Sequence, residues 1–422
     1  MSTGSQGNEA MESMKNIIER IRYWGQLLLL PVYWFSFLFP RNRRIWLFGS
    51  TFGRRFADNP RYFYLYVNQS EECRDIRAIW ISHNKEIVEF LQQNGYEAYY
   101  YHSWKGIWYC LRGKVYLFDN YSKDISFWLS GGATKVNMWH GVPLKKIQHD
   151  NVFDRFRHPK NVWEKIQNYP RNLSDEKPSH YVLTTSEFMK PIFASAFQTE
   201  HVLTTGYPRV DSFAFDHIKN LYTEKEQQLL QQIEQLRQDR DVDTVLYYMP
   251  TFRDSETQFF DVMNLETFGQ YLQKNHMLFC AKLHPKSKLK KEFEAIQGGN
   301  IVCIDADVDP YVFVPIADVL VTDYSSIYFD YLFTRRPIVY FDYDLREYLE
   351  DSREMYFDYE EYTVGTKAEN QNQLEDALNN AVSDQIENQN KADALLYKMF
   401  DEVNQPVSGR LVEEIRQMVG DR

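Results

Sequence analysis

Two histidines of this sequence each follow an apolar, strand-like run: His140 in "NMWHGVPLKK" (137–146) and His284 in "AKLHPK" (281–286). Trp139 is expected to stay in a core, while Gly141 and Pro143 make a tight turn that leaves backbone N–H groups open. A histidine held on such a turn can take a proton from a hydroxyl at neutral pH. The position suits equally well a histidine that only bonds a backbone carbonyl. Lys145 and Lys146 add positive charge, which fits a phosphate or plain solvent. Strand alternation puts Lys282 and His284 on one side. A cation beside an imidazole is a phosphoryl or pyrophosphate pattern, with an ordinary surface Lys/His pair as the bland counterpart.

Polar residues recur at other strand ends. Arg209 follows "TTGYP", Thr251 and Arg253 follow "YYMP", and Asp323 follows "VLVT". Ser325 or Ser326 caps the helix that begins there, and its free N–H groups could receive an anion. Asp330 lies one turn in, among Tyr328, Phe329, Tyr331 and Leu332, so its carboxylate needs an arginine or a ligand hydroxyl. The stretch "DADVDP" (305–310) has Pro310 where a calcium loop needs glycine and lacks the closing glutamate. Asp309–Pro310 reads instead as a helix cap with proline in the first turn. No P-loop and no dinucleotide-binding glycine motif occurs.

These side chains must be held by regular elements. After Arg44 the chain alternates short apolar runs with helical stretches. Expected strands begin near Ile45, Ile76, Lys114, Lys135, Tyr181 and His201 in the first half. In the second they begin near Thr244, Met277, Asn300, Asp318 and Pro337. Continuous apolar runs between amphipathic helices imply parallel sheets covered on both faces. The fold class is therefore α/β, with two facing doubly wound, Rossmann-like domains over residues 44–210 and 211–422. Ligands of such sheets bind beyond the carboxyl ends of the strands. Five strand ends carrying polar residues, drawn from both halves, point to one cleft between them.

The remaining composition narrows the setting. A net charge of −11 argues against nucleic acid as a partner. Four cysteines without metal-type spacing fit a reducing compartment, and no metal is expected. Residues 1–12 read as disordered or as an expression remnant. Residues 13–43 read as membrane-associating amphipathic helices. "YWGQLLLLPVYWFSFLFP" (23–40) carries no charge, is flanked by basic residues, and is interrupted by Gly25 and Pro31. That pattern favours helices lying in the surface of a membrane with anionic lipids over a true span or a buried core helix.

Taken in order, "WHGVPLKK", "TTSEFMKPIFASAF", "TTGYPRVDSF", "YYMPTFRD", "KLHPK" and "VTDYSSIYFDYLFTRRPIVYFDYDLREY" resemble the CDP-glycerol glycerophosphotransferase family of wall teichoic acid synthesis. The likeness spans Trp139 to Tyr348, and the chain length is similar to that of the primase-like members. The resemblance implies a GT-B architecture, no cofactor, and a location at the cytoplasmic face of the cell membrane. It also implies transfer of glycerol phosphate from CDP-glycerol to an undecaprenyl-pyrophosphate-linked disaccharide, releasing CMP. A homo-oligomer or a complex of teichoic acid enzymes is a candidate assembly. On matching positions, His140 is implied as general base or phosphate contact and His284 as a second essential histidine. Gly141, Pro143, Leu144, Lys145, Arg209, Thr251, Arg253, Lys282, Asp323, Ser325, Ser326 and Asp330 are implied as substrate contacts. The chain departs from the family at Val142, usually threonine, and at Lys282, commonly arginine. Rival readings are a ribitol or glycerol phosphate polymerase, a capsule enzyme, a sugar-transferring GT-B enzyme, and a membrane-bound scaffold without activity.

Overall fold

A computed structural model describes residues 18–420 apart from 176–178, 254–255, 297–299 and 352–353. The leader 1–12 and residues 13–17 of the expected membrane segment lie outside the described residues.

Among the described residues two parallel sheets form. The first has the order β3-β2-β1-β4-β5-β6-β7. Its strands are β1 Asn42–Phe48, β2 Arg77–Ser82, β3 Ala98–Tyr100, β4 Gly113–Phe118, β5 Thr134–Asn137, β6 Tyr181–Leu183 and β7 Val202–Leu203. The second has the order β10-β9-β8-β11-β12-β13. It contains β8 Thr244–Tyr248, β9 Met277–Ala281, β10 Ile301–Cys303, β11 Val319–Thr322, β12 Ile338–Phe341 and β13 Thr366–Ala368. Both faces of β1 are buried. Trp46 and Phe48 pack with the helix Asp58–Gln69, and Ile45 and Leu47 pack on the side of the helix Trp104–Arg112. That double burial is why the strand reads as an unbroken apolar run. The expected runs all contain strands. The edge strands β3 and β13, three residues each, carried no such run and were not anticipated.

The seam between the sheets is ionic and closed. Arg61, on Asp58–Gln69, pairs with Glu226 at 2.7 Å and lies 3.7 Å from Asp309. Asp58 donates its N–H to Asp309 at 2.7 Å. Asp309 also caps the turn Pro310–Val312 by accepting from Tyr311 N–H at 2.8 Å, as the Asp–Pro pattern suggested.

The last helix departs from a simple division at residue 210. Ser408–Gly420 returns to the first sheet, where Arg416 pairs with Asp75 and Arg43 donates to the Gly420 carbonyl. Buried Asp211 accepts from the N–H groups of Val407 and Ser408 at 2.9 and 2.8 Å. Residues near the carboxyl end therefore complete the first half, not the second.

Helical turns run through residues 18–38. Tyr33 stacks on Phe127 at 4.7 Å, and Ser36 Oγ accepts from Gly131 N–H at 2.9 Å. Gly131 is needed there, because a Cβ would sit 2.4 Å from Ser36 Oγ. Leu28, Trp34, Phe35 and Leu38 remain exposed on the same segment. Among the described residues no helix is long and apolar enough to cross a membrane.

Candidate active site

The turn after β5 shows how the first histidine is aimed. Asn137 Oδ1 accepts from Trp139 N–H and its Nδ2 donates to the Asn120 carbonyl, each at 2.9 Å. Trp139 takes a left-handed φ of 51° and stays buried, which turns His140 outward. His140 Nδ1 lies 3.0 Å from the Asp119 carbonyl oxygen. A carbonyl can only accept, so in the neutral ring Nδ1 carries the hydrogen and Nε2 keeps its lone pair. The backbone bond expected of a merely structural histidine is thus what fixes the tautomer a base requires. Gly141 meets the other half, since a Cβ there would lie 2.6 Å from Ser326 Oγ. Pro143 and Leu144 are buried, and the Leu144 carbonyl accepts from Tyr356 N–H at 2.9 Å. Lys145 Nζ donates to Thr251 Oγ1 at 3.3 Å and lies over the rings of Tyr324 and Tyr348.

The second histidine is held in the opposite sense. After β9, His284 Nδ1 accepts from Lys286 N–H at 3.2 Å. An amide can only donate, so the hydrogen of the neutral ring sits on Nε2. The ring lies 4.5 Å from Phe252, just after Thr251. Burial, then Lys286 and Arg55, keep its pKa below the ordinary histidine range. Buried Glu256 steadies the loop by accepting from Ser287 Oγ at 2.7 Å and Lys288 N–H at 2.6 Å. Arg55, from the first half, reaches the same region and donates to the Ala306 carbonyl at 2.9 Å.

Other expected contacts are turned inward. Lys282 Nζ donates to the carbonyls of Asp305 and Ala306 at 2.7 and 2.9 Å. Burial, then Arg55, lower its pKa to about 7. Arg209 and Asp330 are both fully buried and pair at 2.7 Å, and Arg209 also holds Asp58 at 2.7 Å. Burial opposes the Arg209 charge, but Asp330, Tyr311 and Asp58 outweigh it and raise the pKa. The alternatives for Asp330 were an arginine or a ligand hydroxyl, and the arginine occupies it. Arg253 is clasped by Asp323 at 2.9 Å and by Asp344, and it donates to the Thr251 carbonyl. Asp323 in turn accepts from Thr251 N–H at 3.0 and 2.9 Å. These groups shape the walls and offer a ligand little surface.

Ser325 and Ser326 stay half-buried at the start of Ile327–Tyr331. Ser326 makes no side-chain capping bond, contrary to the expected cap, and the helix is five residues long, followed by the 3-10 turn Leu332–Thr334.

The arrangement therefore joins His140, Gly141 and Lys145 to Ser326 and Thr251, and carries on through Phe252 to His284. In the neutral rings one imidazole presents an acceptor nitrogen and the other an N–H donor, and Lys145 bonds Thr251, next to Phe252. Among the described residues no group of His, Cys, Asp or Glu is arranged to hold a metal ion.

Sequence reasoning missed Asp119, Asp124, Glu256 and Asp344. Asp119 closes the strand run "KVYLFD" and carried the same strand-end signal as Asp323. Burial, then a neighbouring carboxylate (Asp58 for Asp119, Asp119 for Asp124), raises both pKa values.

Comparison with known proteins adds an independent line. The family model described as CDP-glycerol:poly(glycerophosphate) glycerophosphotransferase matches residues 32–417. A teichoic acid poly(glycerol phosphate) polymerase of Bacillus spizizenii is 28% identical over 354 residues, covering 80% of this chain and 84% of that protein. A teichoic acid glycerol-phosphate transferase of Staphylococcus aureus is 28% identical over 350 residues, with the same coverage of 80% and 84%. The solved structure of the wall teichoic acid polymerase TagF is similar in fold, with a TM-score of 0.69 at 22% identity over 100% of this chain and 99% of that one.

Proposed function

The chain belongs to the CDP-glycerol:poly(glycerophosphate) glycerophosphotransferase family, and on that premise we propose that it moves glycerol phosphate from CDP-glycerol to a hydroxyl of an undecaprenyl-pyrophosphate-linked disaccharide, in a GT-B cleft. The observation that carries the reading is the opposed tautomers of the two histidines. His140 Nε2 takes the proton of the acceptor hydroxyl as its oxygen attacks the phosphorus that bears glycerol. The bond from that phosphorus to the bridging oxygen breaks, and CMP leaves with the electron pair. His284 Nε2–H donates to a phosphoryl oxygen, and Lys145 offsets the charge that gathers there. Removing such a base costs about a hundredfold to ten-thousandfold in rate.

A second reading is repeated transfer onto a growing glycerol phosphate chain. The Bacillus spizizenii polymerase is covered to the same 84% as the Staphylococcus aureus transferase, so length does not separate one-unit priming from extension.

The acceptor's lipid gives the exposed apolar residues a purpose. Trp163, Ile166 and Tyr169 of the helix Val162–Asp175 are exposed, and Tyr23 OH donates to the Gln167 carbonyl at 2.7 Å. Arg20, Arg22, Lys160 and Lys165, in or next to the same two segments, are exposed as well. This composition suits the surface of an anionic bilayer.

The experiment incubates the full chain with CDP-glycerol and the lipid-linked disaccharide in anionic vesicles, following CMP and product length. CMP release with one added unit is the expected result. A long product selects the second reading, and absence of acceptor-dependent CMP defeats both. Failure of the protein to float with anionic vesicles defeats the surface assignment.

A further inference from the structure

The loop after β1 is the most constrained backbone beside His140. Thr51, Phe52 and Gly53 adopt φ values of 49°, 56° and 75° in succession. Side chains rarely accept this region, and a phenylalanine there must be held in place by its surroundings. Two buried carboxylates hold it. Asp119 accepts from Ser50 Oγ at 2.6 Å and Thr51 N–H at 2.9 Å, and Asp124 accepts from Phe52 N–H at 3.0 Å. Gly49 and Gly53 permit the approach, since a Cβ on either would lie 2.8 or 2.9 Å from the Asp124 carbonyl oxygen.

This scaffold pushes the Phe52 ring outward, 43% exposed. It faces the ring of Tyr121 at 6.2 Å, and Lys123 Nζ lies 5.3 and 4.6 Å from the two ring centres. Arg157, its side chain buried and paired with Asp154, donates to Tyr121 OH at 3.1 Å and so fixes that ring. Tyr121 follows two residues after Asp119, the residue whose carbonyl orients His140. The strands β1, β4 and β5 that carry these loops are neighbours in the sheet.

We propose that Phe52 and Tyr121 seat a sugar ring of the acceptor, with Lys123 facing the phosphate group that ring carries. The inference rests on the glycerophosphotransferase reading. An aromatic face matches the apolar C–H face of a pyranose, while the adjacent lysine matches a sugar linked to pyrophosphate. The seat stands on the same sheet as His140, whose Nε2 must meet the acceptor hydroxyl, whereas His284 and its supports stand on the other. A cytosine could also stack on such rings, and the test separates the two.

Phe52→Gly removes the ring and relieves the left-handed strain, so loss of a purely structural role would appear as lower thermal stability alone. Phe52→Tyr keeps the ring. Binding of a soluble short-chain disaccharide pyrophosphate is measured by calorimetry, alongside KM for that acceptor and for CDP-glycerol. In Phe52→Gly the acceptor Kd and KM are expected to rise about tenfold or more, the scale of one lost stacking contact. CDP-glycerol KM stays within about twofold, thermal stability does not fall, and Phe52→Tyr behaves like the parent. An unchanged acceptor Kd overturns the seat, and so does an equal loss for CDP-glycerol. If the parent binds the acceptor yet forms no CMP, the transferase reading fails while the Kd values still judge the seat.

Discussion

Arg209 with Asp330, and His140 with His284, occupy comparable places near the strand ends of the two halves, and the structure uses them oppositely. The ion pair is sealed, with neither side chain exposed and further bonds to Asp58 and Tyr311. Each histidine is exposed and spends one ring nitrogen on the backbone. The difference shows that a charged strand-end residue reports a demand for a partner without naming it. In the seam the partner is protein. A neutral imidazole makes no such demand, so it can stay half-satisfied by protein while exposed to solvent at little cost.

The largest expected effect falls on the open pair. His140→Ala and His284→Ala are each expected to lower turnover about a hundredfold or more while melting temperature stays near that of the parent. Full activity in both variants breaks the comparison from the histidine side. Arg209→Leu acts on the sealed pair and leaves two carboxylates without their cation. Urea unfolding is expected to show a loss of about 3–5 kcal/mol. A normally stable Arg209→Leu protein with a raised CDP-glycerol KM would instead return Arg209 to the ligand.

Lys282 sharpens the contrast with an effect confined to alkaline pH, because it sits beside His284 yet is turned inward. Its folded pKa is lowered from 10.5 to about 7, by burial first and then Arg55. Between about pH 7 and pH 10 the unfolded chain holds a proton that the folded chain has released, so stability rises with pH through that window. The rise approaches about 1.4 kcal/mol per pH unit at most. Lys282→Met should lack it, and parallel stability curves for the two proteins would show that the lysine is freely solvated.

What could be read in advance follows from the range of each interaction. Strands such as β1 and β9 announce themselves because both faces are buried, while β3 and β13 are three residues long with one buried residue each, too little to mark an apolar run. The WHG turn was legible from composition, since it uses neighbouring residues. Asp330 was legible as a carboxylate in need, but its partner is 121 positions away. Asp119 went unnoticed because its work is done on Ser50 and Thr51, 69 and 68 positions earlier. The return of Ser408–Gly420 to the first sheet leaves no local mark at all.

That returning helix sets a timetable for synthesis. Asp211 is released into the cell with the first half, yet the N–H group of Ser408 that satisfies it is 197 residues further along. At about 5–20 residues per second, a ribosome needs roughly 10–40 s to supply it. Until then the nascent first half carries a carboxylate waiting for a distant stretch of the same message, and a stalled transcript would leave it permanently unfinished.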